Sequence, residues 1–156
     1  MNGYCFLFDR DVQAAADALP RRRVLTPTKF GLPDNASDAA IVETASVNEC
    51  IIVTANGNDF VREALRYISQ SSRKSDGCHD LNGLVILPSG LEVQRRLLRN
   101  AEKRMRFDGL PVTWADVWTR SYCVRLKKDG SAEVRLLPRC LYCNDMTLRR
   151  RRRSTW

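Results

Sequence analysis

The sequence lacks the groups that mark several common classes of protein. Its one histidine, His79, lies in a polar loop, which leaves no histidine for a proton relay. It contains no nucleophile elbow and no phosphate-binding glycine loop. The first apolar run, Tyr4–Phe8, is too short for a signal-peptide core or a membrane span, and no later run is longer. We therefore expect a cytoplasmic protein in which the six cysteines are mostly reduced.

Acidic residues are scarce in the C-terminal part of the chain. Residues 95–156 carry 17 Lys and Arg against 6 Asp and Glu, whereas residues 1–94 carry 9 against 12. A mildly acidic part joined to a strongly basic part suggests a charged site beside a surface that binds a polyanion. The alternative is a solvated basic face that ends in a disordered tail, Arg149–Arg153.

Short apolar runs alternate with helical patterns over the first hundred residues. The predicted strands are Tyr4–Phe8, Arg23–Leu25, Cys50–Thr54 and Gly83–Leu87. The predicted helices are Asp11–Leu19, Ser37–Val47, a third capped by Asn58 or Asp59, and Ser89–Arg106. A hairpin then joins Ser121–Leu126 to Ala132–Leu137 through a turn at Asp129-Gly130. This order predicts right-handed βαβ units around a mainly parallel sheet.

Acidic side chains follow the strand ends, where parallel sheets form their sites. Asp9 ends the first strand, with Asp11 just beyond, and Asp59 follows the strand Cys50–Thr54. Asp38 lies in the first turn of a helix that starts at the same edge. Carboxylates that converge repel one another unless a cation neutralises them, and oxygen ligands suit Mg²⁺ or Mn²⁺. The alternative is that Asp38 and Asp59 only cap helices and Asp9 only ends a strand.

Four segments in order, FLFDRDV, GLPDNASDAAIVETA, CIIVTANGNDF and GLVIL, resemble PIN-like proteins of the DUF5615 type, related to the Mut7-C domain. The resemblance spans residues 3–105. It implies a three-layer α/β/α sandwich and a Mg²⁺- or Mn²⁺-dependent ribonuclease, as in the toxins of toxin–antitoxin pairs. By position, the resemblance implies that the metal ligands and catalytic acids are Asp9, Asp38 and Asp59.

The chain departs from this family pattern at Asn56, where an aspartate is expected, and the segment around it is one residue longer. An amide is neutral and coordinates only through its carbonyl oxygen. Asp11 could supply a replacement oxygen, whereas Glu43 lies about 140° round the helix from Asp38 and is a poor partner. We expect a weaker metal site with Asp11 and Asn56 as further ligands, or else a catalytically weakened module that binds RNA or a partner protein.

The basic C-terminal part provides a candidate RNA-binding surface. The residues expected to hold phosphates are Arg95, Arg96, Arg99, Lys103, Lys127 and Lys128. Trp114, Trp118 and Tyr122 could stack on bases or could fill a core. RNA is therefore the expected partner, an antitoxin protein and a second copy of the chain are further candidates, and no membrane is expected.

Cysteines near the C-terminus suggest one further site. Cys140 and Cys143 form a CxxC, and Cys78 precedes His79, so the four could bind a structural zinc ion. A lone CxxC is a weak signal, and unligated thiols are the alternative. In outline, we expect residues 1–110 to form a PIN-like domain, residues 111–148 a hairpin extension packed on it, and residues 149–156 a disordered tail.

Overall fold

The computed structural model of the 156-residue chain describes residues 3–70 and 79–138. Over those residues the chain forms a six-stranded sheet with helices on both faces, and a separate two-stranded ribbon. The prediction of a mixed α/β fold with a mainly parallel sheet is confirmed. Within the same residues, no helix has the length and the apolar character needed to cross a membrane.

The elements follow one another in the order that the sequence predicts, with some additions. The strands are β1 (Cys5–Phe8), β2 (Val24–Leu25), β3 (Cys50–Thr54), β4 (Leu84–Ile86), β5 (Arg106–Phe107), β6 (Leu110–Pro111), β7 (Tyr122–Leu126) and β8 (Ala132–Leu136). The α-helices are α1 (Asp38–Val47), α2 (Gly57–Ser69), α3 (Leu91–Arg104) and α4 (Trp114–Arg120). Short 3₁₀ helices occupy Arg10–Ala18, Arg21–Arg23 and Pro27–Phe30.

The main sheet has the strand order β2-β1-β3-β4-β7-β8. All neighbouring pairs in it are parallel except β7 and β8, which form the predicted antiparallel hairpin. Strands β1, β3, β4 and β7 therefore end on the same side of the sheet. We call this side, where Phe8, Thr54, Ile86 and Leu126 end their strands, the carboxyl edge.

Successive residues of each central strand point to opposite faces, so the sheet contributes to two cores. In β1, Phe6 and Phe8 pack with the 3₁₀ helix over residues 10–18 and with α3 and α4, whereas Leu7 packs with α1 and α2. Every residue of β3 is fully buried. Full burial of one such apolar side chain stabilises the fold by about 1.5–3 kcal/mol, which explains why these strands are continuous apolar runs.

Helix α2 begins earlier than predicted, at Gly57. Its cap is Asn56 rather than Asn58 or Asp59, so that Asp59 lies inside the first turn. The start of the helix lies directly against β4, and a Cβ on Gly57 would come within 2.6 Å of Cγ2 of Ile86. A larger residue could not start a helix here without moving that side chain.

Other boundaries also differ from the predictions. The first predicted helix is a 3₁₀ helix that starts directly at the strand end, where the carbonyl of Asp9 accepts an i+3 hydrogen bond from Val12. Helix α3 follows Gly90 rather than Ser89, and it ends at Arg104 because Met105 is extended and fully buried in the core. The 3₁₀ helix Pro27–Phe30, helix α4 and the β5–β6 ribbon were not predicted.

Two of the three aromatic residues that were candidates for stacking on bases fill the core. Trp114 is 5% exposed and packs edge-to-face on Phe6, with ring centroids 5.1 Å apart. Tyr122 is 4% exposed and packs against Phe107. The core alternative is therefore confirmed for both. Trp118 is half-buried and donates its indole N–H to the carbonyl of Glu49 at 2.7 Å.

Cys5 and Cys50 face each other in the register of β1 and β3, and they form a disulfide. Their Cα atoms lie 4.8 Å apart, which is within the range that a disulfide spans. The expectation of reduced cysteines does not hold for this pair. Cys123 is a free thiol, and Cys78, Cys140 and Cys143 lie outside the described residues.

Candidate functional site

A cavity of about 280 Å³ opens at the carboxyl edge beside the end of β1. The charged side chains around it are mostly acidic, and Arg10 supplies the one positive charge among the described lining residues. Its polar lining includes four carboxylates and an amide, those of Asp9, Asp11, Asp34, Asp38 and Asn56. Three of the predicted site residues, Asp9, Asp11 and Asp38, therefore line one cavity, and their role as metal ligands stays a prediction.

Asp9 is the most enclosed of these carboxylates, with 7% of its surface exposed. Its backbone N–H donates to the carbonyl of Val53, which fixes the residue to the end of β3. One carboxylate oxygen accepts a hydrogen bond from the backbone of Arg10 at 2.8 Å. Burial raises the pKa of Asp9; the bonds from Thr54 and Arg10 oppose this rise, and the charge of Asp11 adds to it.

Thr54 connects the parts of the site. The side chain is fully buried at the end of β3, and its hydroxyl donates to Oδ2 of Asp9 at 3.0 Å. The hydroxyl oxygen of Thr54 also accepts the backbone N–H of Asn56 at 3.0 Å. One hydroxyl thus links the end of β1 to the residue that caps α2.

Asp38 approaches the cavity from α1. Ser37 caps this helix by accepting the N–H of Ala40, as predicted, and Asp38 occupies the first turn. Burial raises the pKa of Asp38, and the surrounding negative charges raise it further, in the order Asp9, Asp59, Glu63 and Asp11. The carboxylates therefore repel one another through space, which is the electrostatic condition that a bound cation would relieve.

Asp59 is held by its own helix. One of its oxygens accepts a hydrogen bond from Nδ2 of Asn56 at 2.9 Å, and the other lies 3.8 Å from Nη1 of Arg62. Half of the Asp59 side chain is exposed, and among the described residues the cavity wall on this side is formed by Asn56. Of the three predicted catalytic acids, Asp9 and Asp38 therefore line the cavity and Asp59 does not.

The carboxylates gather around one cavity without forming a closed ligand cage. In residues 3–70 and 79–138, no three or more His, Cys, Asp or Glu side chains are grouped so as to hold a metal ion. Carboxylate and amide oxygens are nevertheless the ligands that Mg²⁺ and Mn²⁺ prefer. An ion bound here would complete its coordination with water or with a phosphate.

No protein-family model, curated protein or solved structure matches the chain. The PIN-like resemblance therefore stays a prediction, and the chemistry of the site has to be judged from its own geometry.

The predicted RNA-binding residues fall into two groups. Arg95 and Lys127 are paired within the protein: Arg95 contacts Asp17 at 3.0 Å and Glu92 at 2.6 Å, and Lys127 lies 3.5 Å from Glu133. The others are exposed and have no ion-pair partner among the described residues; they are Arg96, Arg99, Lys103 and Lys128. We call these four cations and Arg104, which is likewise exposed and unpaired among the described residues, the basic surface.

Three of the four proposed zinc ligands, Cys78, Cys140 and Cys143, lie outside the described residues. His79 stacks on Tyr67 with ring centroids 4.4 Å apart, and its Nδ1 lies 3.1 Å from the carbonyl of Tyr67. Both residues line a second cavity of about 210 Å³ together with Glu43. Glu43 thus lies away from the acidic cavity, as its helical position predicted.

Sequence reasoning missed three residues of the acidic site. Thr54 was read only as the end of a strand, although a buried hydroxyl there can reach the neighbouring strand end. Arg10 was not considered, yet its guanidinium donates to the carbonyl of Asp34 at 2.9 Å and both residues line the cavity. Asp34 lies in a Pro-rich loop whose path the sequence could not predict.

Proposed function

We propose that the protein is a Mg²⁺- or Mn²⁺-dependent ribonuclease that hydrolyses RNA phosphodiesters at the acidic cavity. The observation that supports this most directly is the cavity at the carboxyl edge, which Asp9, Asp11, Asp34 and Asp38 line together. Burial raises the pKa of Asp38, and the charges of Asp9, Asp59, Glu63 and Asp11 raise it further. Groups that disfavour ionisation in this way are often functional. Asp9 and Asp38 would be ligands of the ion, and Asp11 and Asn56 would offer further oxygens. Asp59 would orient the Asn56 amide by accepting its hydrogen bond.

The residues of the chain prepare this site before any ligand arrives. Hydrogen bonds from Thr54 and from the Arg10 backbone fix the orientation of the Asp9 carboxylate. Arg10 at the cavity wall offers a positive charge to an entering phosphate. A bound divalent ion would lower the pKa of a water molecule and stabilise the charge that develops on the phosphate. The exposed cations of the basic surface would hold the RNA backbone.

A cleavage assay tests the proposal. A mixed RNA pool is incubated with increasing Mg²⁺ or Mn²⁺, and cleavage is compared between the native protein, Asp9→Asn and Asp38→Asn. Asp108→Asn is a matched control, because Asp108 is exposed in the β5–β6 turn and has a φ of 53° that asparagine tolerates. We expect metal-dependent cleavage that the first two changes abolish and the control retains. Cleavage that survives both changes in a folded protein would contradict the proposal.

A second candidate function is a catalytically weakened module that binds RNA or a partner protein. The hydrogen bond between Asn56 and Asp59 favours it, because it satisfies one carboxylate with an amide instead of a cation. This candidate predicts RNA binding that depends on salt but not on divalent ions. The native protein and Asn56→Asp together separate the two: metal-dependent cleavage by the native protein supports the ribonuclease, whereas cleavage that appears only after Asn56→Asp, with metal-independent RNA binding by the native protein, supports the weakened module.

A role as the toxin of a toxin–antitoxin pair, located in the cytoplasm, is part of the same proposal. An acidic antitoxin would complement the basic surface. In a reducing compartment Cys5 and Cys50 would exist as thiols for much of the time, so the fold has to persist without their disulfide. Expression in cells with and without the metal-site changes tests the toxin role through growth, with copurification of an acidic protein as the second measurement.

A further inference from the structure

A crevice of about 70 Å³ lies between α3 and the turn that joins β7 to β8. It is lined by Arg96, Leu97, Asn100, Arg104, Leu126 and Gly130. Leu97 and Leu126 are core residues, exposed by 4% and 2%, so the floor of the crevice is apolar. Its polar groups are donors carried by α3, two of them guanidinium groups. Such a small space with charged donors at its rim suits an anion better than an apolar ligand.

The first of these donors is fixed by the hairpin. Nη2 of Arg96 donates to the backbone carbonyl of Lys128 at 3.1 Å, and the carbonyl of Arg96 accepts Nδ2 of Asn100 at 2.9 Å. A guanidinium has five N–H donors, so this bond leaves most of them available. The turn that presents the carbonyl depends on Gly130, whose φ of 90° is rarely adopted by other residues.

The charge of this crevice is not neutralised from within the described structure. The acids on the elements that form the crevice have other partners: Glu92 binds Arg95, Glu102 accepts the backbone N–H of Trp114 at 2.9 Å, and Glu133 lies within ion-pair distance of Lys127 and Arg135. Asp129 in the turn accepts hydrogen bonds from the backbone and side chain of Ser131. Among the described residues, Arg96 and Arg104 have no carboxylate within ion-pair distance.

The crevice also lies on the same side of the sheet as the acidic cavity. Lys127 and Lys128 directly follow the end of β7, and Asp9 follows the end of β1, which is parallel to it. Three strand spacings separate β1 from β7 in the sheet order, which corresponds to about 14 Å at the usual strand separation. An extended polyanion lying along the carboxyl edge could therefore contact both places.

We propose that this crevice binds a backbone phosphate of single-stranded RNA whose neighbouring nucleotides extend along the carboxyl edge to the acidic cavity. The inference rests on the proposed function, because it assigns the substrate's path to that site. Exposed cations continue on both sides of the crevice, at Arg99 and Lys103 of α3 and at Lys128 of the turn. This row of charges matches the repeated phosphates of a nucleic acid better than an isolated acidic side chain.

Equilibrium binding of a fluorescent single-stranded RNA tests the inference, with every protein carrying Asp9→Asn so that the RNA stays intact. The test variant adds Arg96→Gln and Arg104→Gln, which keep the apolar stems. The matched control adds Arg21→Gln and Arg22→Gln, two exposed arginines in the 3₁₀ helix before β2. A third variant, Arg96→Lys with Arg104→Lys, retains the charges. Thermal unfolding confirms that all four proteins are folded.

Loss of two phosphate contacts should lower the slope of log K against log salt by about 1.4, since each contact on a single strand contributes roughly 0.7. At 0.1 M salt the same loss corresponds to about 25-fold weaker binding. The control should match the Asp9→Asn parent, and the lysine variant should retain the parent's slope.

An unchanged slope in the glutamine variant, an equal loss in the control, or absence of RNA binding by the parent at 0.05 M salt overturns the inference. Binding of a polyglutamate peptide that needs Arg96 and Arg104, without RNA binding, would assign the crevice to an acidic protein and would overturn it as well. These outcomes are separate from failure of the proposed function, which is measured by cleavage and by its response to Asp9→Asn and to metal.

Discussion

Replacement of Thr54 by valine should remove the hydroxyl that orients the Asp9 carboxylate and should lower the stability of the protein. Valine has nearly the same shape as threonine but lacks the hydroxyl. The change removes the hydrogen bond that Asp9 accepts at 3.0 Å, and it leaves the backbone N–H of Asn56 without its 3.0 Å acceptor. The Thr54 side chain is fully buried, so water cannot readily replace the bond to Asp9, whereas the N–H of Asn56 is only partly buried.

The magnitude follows from those two bonds. A hydrogen bond to a charged group contributes about 1.5–3 kcal/mol, and a buried donor left unsatisfied costs about 1–3 kcal/mol. Since the extra methyl group of valine offsets part of this, we expect Thr54→Val to lower the free energy of unfolding by about 3 kcal/mol. For a chain of this length that corresponds to a fall in Tm of roughly 6–12 °C.

The pH dependence gives a second measurement that a general loss of packing would not change. The Thr54 hydrogen bond lowers the pKa of Asp9, which burial and the charge of Asp11 raise above the ordinary value of 3.8. Removing the bond therefore raises this pKa further. Because Asp9 must be ionised to bind a cation, the acid limb of the cleavage profile should move to higher pH. Arg10 and Asp38 face the same carboxylate and are unchanged in both proteins.

The same pKa shift also determines how the difference in free energy of unfolding between the native protein and Thr54→Val changes with pH. A carboxyl group whose pKa is raised in the folded state favours folding below its unfolded pKa, and it loses that contribution as the pH rises through the folded value. The deficit of Thr54→Val should therefore be largest at neutral pH and should narrow as the pH falls through the raised pKa of Asp9. Urea unfolding at several pH values measures it.

Thr54→Ser is the matched control because it retains the hydroxyl and removes only a buried methyl group, at a cost of about 1 kcal/mol. It should keep the native pH profile for cleavage. If valine and serine shift stability and pH profile equally, the hydroxyl does not support Asp9 and the reasoning is refuted.

Three further changes test the fold around the site. Reduction of the disulfide between Cys5 and Cys50, or its removal by substitution with serine, should lower the free energy of unfolding by about 4 kcal/mol, from the chain entropy of a loop with a sequence separation of 45; equal urea midpoints with and without reductant would contradict this. Cys123, whose pKa burial raises to about 11, should react with iodoacetamide at pH 8 about 100-fold more slowly than in the unfolded chain, as measured by peptide mass spectrometry. Gly57→Ala should destabilise the protein by about 1–3 kcal/mol because the new Cβ meets Ile86, and Ile86→Ala should remove most of that cost in a double-mutant cycle.

The parts of the fold that could be predicted are those in which local sequence and tertiary structure agree. Cys50–Thr54 is a short apolar run bounded by polar residues, and it forms a strand in which every residue is buried. The hairpin turn contains an Asp-Gly pair, and Gly130 adopts the positive φ that such turns require. Asp9 and Asp38 could be placed at one edge because parallel strands all end there.

The remaining features depend on contacts between distant parts of the chain. Arg95 looked like the other basic residues of its helix, but it pairs with Asp17, which is 78 positions earlier in the sequence. Met105 ends α3 because its side chain is buried in a core that the local sequence does not reveal. The start of α2 depends on the fit of Gly57 against Ile86 from another strand. No periodicity in a single segment contains this information.

Asn56, in place of an aspartate, changes both the repulsion among the acids of the site and the number of charged ligands that the site offers to a cation. A carboxylate at this position would add a further negative charge beside Asp59, whose oxygen now accepts a hydrogen bond from the Asn56 amide at 2.9 Å. Burial and the charges of Asp9 and Asp59 already raise the pKa of Asp38, so a further acid would increase the repulsion between these carboxylates. The amide therefore reduces electrostatic repulsion before a cation binds, at the expense of one ligand charge once it is bound. On this reasoning, a phosphate at the cavity would contribute the missing negative charge, and metal and RNA would bind with positive cooperativity.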